Sequence, residues 1–528
     1  MSAFDIEPDV GEHPTYAADR IDERDLKATV AQVLDRWPSA GLAVSVIRDG
    51  GVAWFHGHGL ADVAARTPIS EHTAFRIASL TKTFTAIALM QLWEQGLVDL
   101  DAPANDYLRA FRLIPAKPNL SPATVRHLLT HTAGIGYWRR LSDLLRPGVG
   151  SGDRAGRSGA LPLADYYRRG LPVEVEPGTK WVYSNHGFAA LGQIVEDVTG
   201  QPLDRYLRER IFDPLGMEHT DLIRSERVRP HLATGYVLRS RGLEAVADRE
   251  VPTLGGGGMY STPADLARYV TALLSMADHG PGSVLRPETV TTMFRPHFQP
   301  DPRVPGMGLG FELGQEEKHR TVGKTGVLSG FHSAMSLVPD AGMGILILSN
   351  TGGLDGRGGT VPLATMLLRL LLGLPVDPIR MDIAPRPESW SDLCGWYSPA
   401  PGPVTNLFSR ALMGAGAEVV VQGGHLMLKP LTPIPAMRRG FRLYPDDPDD
   451  PRVFRVYLPE FGMNLRVVFD GGPEKGPARR LLLDLMSFDR RPDLGNPRPW
   501  LAGVAAAGVT ALAVRSLAHH HGSDKGPR

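Results

Sequence analysis

The chain has 528 residues, of which 42% are hydrophobic and 22% charged, and its 57 basic side chains balance 57 acidic ones. That is an ordinary globular composition with room for two or three domains, and the balance excludes global steering toward nucleic acid, anionic lipid or an acidic partner. The single cysteine, Cys394, excludes an internal disulfide and cysteine-based zinc or redox chemistry.

In chain order, a polar lead (residues 1–19) comes first. It lacks the basic start and apolar run of a signal peptide, so a cytoplasmic protein is expected. Leu26, Val30, Val33, Leu34 and Trp37 then recur at helical spacing until Pro38 stops the pattern. Residues 42–47 and 52–55 read as strands joined by an Asp49-Gly50-Gly51 turn. From Ser79 to about Glu94 the sequence is helix-like and apolar on several faces, with Gly96 suited to end it, which predicts a buried central helix.

A second helix is expected over 185–198, ending at Gly200. A third opens at Thr262-Pro263-Ala264-Asp265, read as a capping box with proline in the first turn. Residues 333–338 and 343–348 read as strands around a Pro339-Asp340-Ala341-Gly342 turn. Strands at both ends with helices between them predict an α+β fold, an antiparallel sheet flanked by helices with a helical region inserted.

A proline-bearing linker follows, with Pro378, Pro385 and Pro387, and beyond it the β-type runs 419–421, 425–428, 453–458 and 465–469 predict a small β domain. The expected division is therefore a domain over 20–380, a linker over 381–389, a β-rich domain over 390–492 and a tail over 493–528. Within the tail, residues 500–514 are uncharged and mostly apolar, but Ala- and Gly-rich and short of the roughly 20 residues a bilayer span needs. A docked or frayed helix is expected there, and any membrane contact would be confined to it. Residues 146–160, rich in Gly, Arg and Ser, read as a surface loop.

Chemistry concentrates at three places. Ser79-Leu80-Thr81-Lys82 is the one Ser-x-x-Lys match in the chain, where roughly 0.4 would arise by accident. It opens the apolar helix, which sets the serine hydroxyl at the positive end of a helix dipole, and the i, i+3 spacing brings Lys82 to the same face. A serine hydroxyl attacks only when a neighbouring base takes its proton, and burial or a nearby like charge would keep a lysine neutral enough to help. Tyr183-Ser184-Asn185 lies at a loop-to-helix junction. There a phenol between two ammonium groups would have its pKa lowered toward a useful base, and the amide could hold a carbonyl or orient the lysine. Lys324-Thr325-Gly326 precedes the strand near Ser333. An edge strand there would offer a lysine for a substrate carboxylate, and the N–H of Val327 could join that of Ser79 as an oxyanion donor, such a donor being worth about 2.7–4 kcal/mol in kcat.

Ser-x-x-Lys, Tyr-x-Asn and Lys-Thr-Gly in this order resemble the three active-site motifs of the serine β-lactamase and penicillin-binding-protein superfamily, the tyrosine form being similar to class C β-lactamases and their esterase and D-peptidase relatives. Val125-Arg126-His127-Leu128-Leu129-Thr130-His131-Thr132-Ala133-Gly134, Glu176-Pro177-Gly178, Ile211-Phe212-Asp213-Pro214-Leu215-Gly216-Met217 and Gly256-Gly257-Gly258-Met259-Tyr260-Ser261-Thr262 agree, so the likeness covers about residues 25–375. It implies a β-lactamase/transpeptidase-like fold and an acyl-enzyme cycle. Ser79 would attack, Lys82 and Tyr183 would move the proton, and Asn185 would position lysine and substrate. Lys324, Thr325, Gly326 and Val327 would line the substrate site. The expected substrate is a small ester, amide or D-peptide, more than a β-lactam, with no cofactor and no metal; a non-hydrolytic ligand-binding or scaffold member, or an acyltransferase, is the alternative.

Competing motifs fail on their neighbours. Gly-x-Ser-x-Gly does not occur, and Gly323-Lys324-Thr325 lacks the earlier glycine of a P-loop, Lys318 standing in its place. His127 and His131 share zincin spacing, but Leu128 replaces the glutamate, and both read as structural. The run Gly255 to Gly258 reads as a flexible cleft wall.

Overall fold

The computed structural model describes residues 22–136, 162–248, 250–275, 284–354, 356–399, 413–432, 434–471, 476–492 and 496–497. The polar lead, the 146–160 stretch and the 500–514 segment lie outside the described residues.

Helix α1 (Glu23–Arg36) starts at Asp22, whose carboxylate takes the Arg24 N–H at 2.8 Å, and stops before Pro38 as the sequence predicts. Strands β1 (Gly41–Arg48) and β2 (Gly51–Asp62) form the expected hairpin, with Asp49 and Gly50 both at positive φ. β2 runs on past the predicted end at Phe55 and pairs with the short β3 (Thr67–Pro68). After the helical region come β4 (Glu312–Glu316), β5 (His319–Leu328), β6 (Phe331–Val338) and β7 (Met343–Ser349). All join one antiparallel sheet in the order β4-β5-β6-β7-β1-β2-β3. The β1–β7 register, Leu42 opposite Ser349 and Arg48 opposite Met343, ties the two ends of the domain together.

Period-two alternation in β1 splits the core. Leu42, Val44 and Val46 face α1 and α5 (Thr360–Leu371), while Ala43 and Ile47 face the inserted helices. The central helix α2 (Thr81–Glu94) is buried at every position from Thr81 to Leu92, as a helix apolar around its whole circumference should be. Phe84 stacks on Tyr269 at 4.0 Å and meets Phe212 edge-on at 5.9 Å. Each such buried ring contributes roughly 1.5–3 kcal/mol. Lys82 is the one charged side chain in that buried run.

Helix α3 (Asn185–Thr199) ends at Gly200 in the left-handed conformation, as expected. Helix α4 (Pro263–Leu274) is capped by the Thr262 hydroxyl accepting from the Asp265 N–H. The predicted capping box is only half formed, because the Asp265 carboxylate instead accepts from the His219 N–H and the Thr220 hydroxyl.

The C-terminal β domain is a closed eight-stranded meander. Its strands are β8 (Gly395–Pro399), β9 (Ala417–Gln422), β10 (His425–Pro430), β11 (Phe441–Pro445), β12 (Val453–Leu458), β13 (Met463–Phe469), β14 (Arg480–Leu483) and β15 (Met486–Arg491), with β8 pairing β15 to close it. Closure removes the exposed edges a short open sheet would leave. The barrel packs on the first domain through Val304 against Val453, Val468 and Leu482, and through Arg303, which bridges Asp301 and Asp450 at 2.7 Å each. Lys180 reaches Asp489 at 3.2 Å, and Trp181 packs on the barrel core, so the loop leading to Tyr183 is braced by the second domain.

Candidate active site

Ser79 sits in a single 3-10 turn, Ala78–Leu80, that feeds α2, so the regular helix begins at Thr81 and not at the serine as the periodicity suggests. Ala78 has φ +48, a left-handed conformation that costs an L-residue roughly 1–2 kcal/mol. Neighbours hold it there. The Ala78 carbonyl accepts from the Thr81 hydroxyl at 2.6 Å, and the Ile77 carbonyl accepts from the Ser333 hydroxyl at 2.8 Å. Strand β5 also presses on this turn: a Cβ at Gly326 would lie 2.3 Å from Ser333 Oγ and 2.6 Å from the Ile77 carbonyl oxygen. The glycine of Lys-Thr-Gly is therefore required by the approach of the strand to the nucleophile's turn.

Lys82 is 0% exposed. Its Nζ lies 3.1 Å from Ser79 Oγ and 2.6 Å from Asn185 Oδ1, and it also donates to the Gly256 carbonyl. Ser184, not Asn185, caps α3 by accepting the Gly187 N–H at 3.2 Å, which leaves the Asn185 amide free for the lysine. The Gly256 carbonyl arrives on a short helix, Leu254–Gly257, packed against α3. A Cβ at Gly256 would lie 2.9 Å from the Asn185 carbonyl oxygen, and one at Gly255 2.9 Å from that of Phe188. Close packing, not the flexibility expected from the sequence, is what these glycines supply.

Burial holds the Lys82 amine well below its ordinary pKa, and the Lys324 charge pushes the same way. Asn185 Oδ1 and the Gly256 carbonyl can only accept. An unprotonated Lys82 amine would spend its two N–H bonds on them and leave its lone pair to face Ser79 Oγ.

Tyr183 Oη is 2.6 Å from Ser79 Oγ. Its ring lies 4.9 Å from Lys82 Nζ and 5.1 Å from Lys324 Nζ, so both lysine nitrogens are beside the phenol as expected. The expected consequence does not follow. Burial pushes the phenol above its ordinary pKa and outweighs the hydrogen bond to Ser79 that lowers it. Tyr183 accordingly keeps its proton.

The tyrosine is positioned by His131, a contribution that sequence reasoning did not assign. The His131 carbonyl accepts from the Val182 N–H at 2.7 Å, its Nδ1 from the Ser184 N–H at 3.3 Å, and its ring lies 4.5 Å from that of Tyr183. Burial first, then the charge of Lys324, holds the His131 imidazole well below its ordinary pKa. Thr132 and Gly134 carbonyls accept from the Gly178 and Glu174 N–H groups, so the Thr-His-Thr-Ala-Gly and Glu-Pro-Gly segments brace each other. His127 completes a capping box with Thr124, as a structural histidine should, and no cluster able to hold a metal occurs among the described residues.

Lys324-Thr325-Gly326 lies inside β5, at the edge strand the sequence reading expected there, and the buried face of that strand carries Val322, Lys324 and Gly326. Pairing with β4 ends at Gly323, so residues 324–328 pair only with β6. Thr325 and Val327 alternate outward, and Val327 is 40% exposed. Lys324 is 1% exposed and forms an ion pair with Glu312 on β4. Glu312 was missed: it becomes a neighbour only when the Glu317-Lys318 turn folds β4 back on β5, opposite Gly323.

The geometry thus unites Ser79, Lys82, Tyr183 and Asn185 in direct contact, with Lys324 against the tyrosine ring. The Beta-lactamase family model matches residues 26–366. The chain is similar to esterase EstB of Burkholderia gladioli, 32% identical over 377 residues that cover 64% of this chain and 93% of that protein. It is also similar to a D-aminopeptidase of Gluconobacter oxydans (strain 621H), 28% identical over 71% of this chain and 68% of that one. The octameric penicillin-binding protein homologue from Pyrococcus abyssi shares the fold, with a TM-score of 0.58 at 24% identity over 89% of this chain and 100% of its own. The chain belongs to the β-lactamase family of serine hydrolases.

Proposed function

We propose that the chain cleaves a small ester or amide, including D-amino-acid amides, through an acyl-enzyme on Ser79. The observation that carries this is the contact set around one hydroxyl: Lys82 Nζ at 3.1 Å and Tyr183 Oη at 2.6 Å from Ser79 Oγ, with the lysine fixed by Asn185 and Gly256. Ser79 Oγ attacks the carbonyl carbon as its proton passes to neutral Lys82. The oxyanion is received by the N–H groups of Ser79 and Val327. The proton then passes through the Tyr183 hydroxyl to the leaving oxygen or nitrogen as its bond to carbon breaks. Water enters by the reverse route and releases the acid. Thr325 and Gly326 form the strand edge along which the acyl portion lies.

The two relatives named above, an esterase and a D-aminopeptidase, support this substrate range over a β-lactam. The domain limits we propose are 20–380 and 390–492. No helix among the described residues is long and apolar enough to cross a membrane. With one cysteine in 528 residues, we place the enzyme in the cytosol.

An alkyl fluorophosphonate tests the reading. Mass spectrometry should find one adduct, on the peptide holding Ser79, absent from Ser79→Ala; labelling elsewhere, or none with ligand binding retained, would favour the scaffold alternative.

A further inference from the structure

Lys324 is the cation that the sequence offers for a substrate carboxylate, yet the structure pairs it already. Its Nζ donates to Glu312 Oε1, and the exposures of the two side chains are unequal: 1% for Lys324 and 34% for Glu312. Of the two, the carboxylate keeps solvent exposure while the ammonium is buried against it. Glu312 stands at the last pair of the β4–β5 ladder, opposite Gly323, and from that strand end its side chain reaches Lys324. The Glu312 charge acts on Lys82 and on Tyr183, and also on Asp484 of the barrel.

We infer that Glu312 is a specificity-determining residue: it neutralises Lys324 and turns the site against substrates that carry a carboxylate on the acyl side, restricting it to neutral or cationic esters and amides. This rests on the acyl-enzyme reading given above. A substrate carboxylate would have to displace Glu312 from Lys324 while lying beside it, and like charges so placed repel. The occupied lysine still has a role, since its charge helps keep Lys82 neutral.

The test compares kcat/KM for 4-nitrophenyl hexanoate and for the 4-nitrophenyl monoester of adipic acid, which adds one carboxylate to an acyl chain of similar reach. The wild type should prefer the neutral ester by about 100-fold, Glu312→Gln should narrow that preference by about tenfold or more, and Glu312→Asp should restore most of it. A ratio unchanged within about twofold in Glu312→Gln, with both esters still turned over, would overturn the inference while leaving the acyl-enzyme intact. Should Glu312→Gln fail to fold, the wild type alone decides through inhibition by phenylboronic acid and its 3-carboxy derivative. Weaker binding of the carboxylated compound is expected, and equal or tighter binding overturns the inference. A wild type inactive on both esters would strike the acyl-enzyme reading itself, and this inference with it.

Discussion

The Nζ of Lys82 lies 2.6 Å from Oδ1 of Asn185, and this contact, with the Gly256 carbonyl, settles which way the amine's lone pair can point. Replacing the amide by a carboxylate keeps the shape and reverses the electrostatics. Asn185→Asp should stabilise the protonated lysine, raise its pKa and slow acylation on the order of 100-fold near neutral pH. The loss should shrink as pH rises. In the wild type the rate should climb with pH on a limb lying well below the ordinary lysine value, because burial and Lys324 favour the neutral amine. Burst kinetics across pH 5–10 read both effects, and a limb unmoved by Asn185→Asp would refute the assignment of the base.

Tyr183 holds its proton and touches Ser79 at 2.6 Å, so its removal should cost proton delivery and not folding. Tyr183→Phe is expected to lower kcat/KM for an amide on the order of 100-fold or more, and for a nitrophenyl ester by less, since nitrophenolate leaves without help. Thermal unfolding should be nearly unchanged. Equal losses on both substrates would remove the leaving-group role.

Gly326 is needed for contact, not for mobility. In Gly326→Ala the added Cβ meets Ser333 Oγ and the Ile77 carbonyl, so strand β5 or the Ala78 turn must shift. A destabilisation of roughly 1–3 kcal/mol is expected together with a large fall in kcat. Denaturant titration and ester turnover on the same sample check this, and normal activity in the variant would show that the turn tolerates displacement.

Asp484, in the barrel's β14–β15 turn at φ +47, has its carboxyl pushed up to about 6 by burial, against the nearby Arg455 and Arg466. A carboxyl whose folded pKa exceeds its unfolded one near 3.8 stabilises the fold while protonated. That contribution is present below pH 4 and lost as pH rises through 6. Asp484→Asn, which can keep the Arg466 N–H bond at 2.9 Å and tolerates positive φ, should gain about 1–2 kcal/mol at pH 7, after allowing for residual solvent contact, and almost nothing at pH 4. Melting curves at the two pH values decide; an equal gain at both would mean the effect is not ionisation.

The elements legible in the sequence were those whose own periodicity matched their burial. Helix α1, the β1–β2 hairpin, α3 with its Gly200 stop, and the β6–β7 pair all carry apolar residues on the side they bury. Strand β4 was not, and β5 was expected only as an edge strand around Lys324-Thr325-Gly326, because Glu312, Lys324 and Gly326 make sense there only once Ser79's turn is packed on them. In the site, the contacts of Ser79, Lys82, Tyr183 and Asn185 follow the motif reading, but the direction of the Tyr183 pKa does not. Two neighbouring ammonium groups suggest a lowered value, whereas enclosure of the phenol raises it, and enclosure is a property of the folded chain. Glu312 and the Gly256 carbonyl were unreadable for a related reason: each reaches the site through pairing or packing with a distant segment.

Rapid-quench mass spectrometry of the intact protein mixed with a 4-nitrophenyl ester tests the central claim most directly. The account predicts a mass gain of one acyl group per chain within the burst, mapped to Ser79 and abolished in Ser79→Ala. Full nitrophenol release with no acylated species, or with the acyl group on another residue, would contradict it.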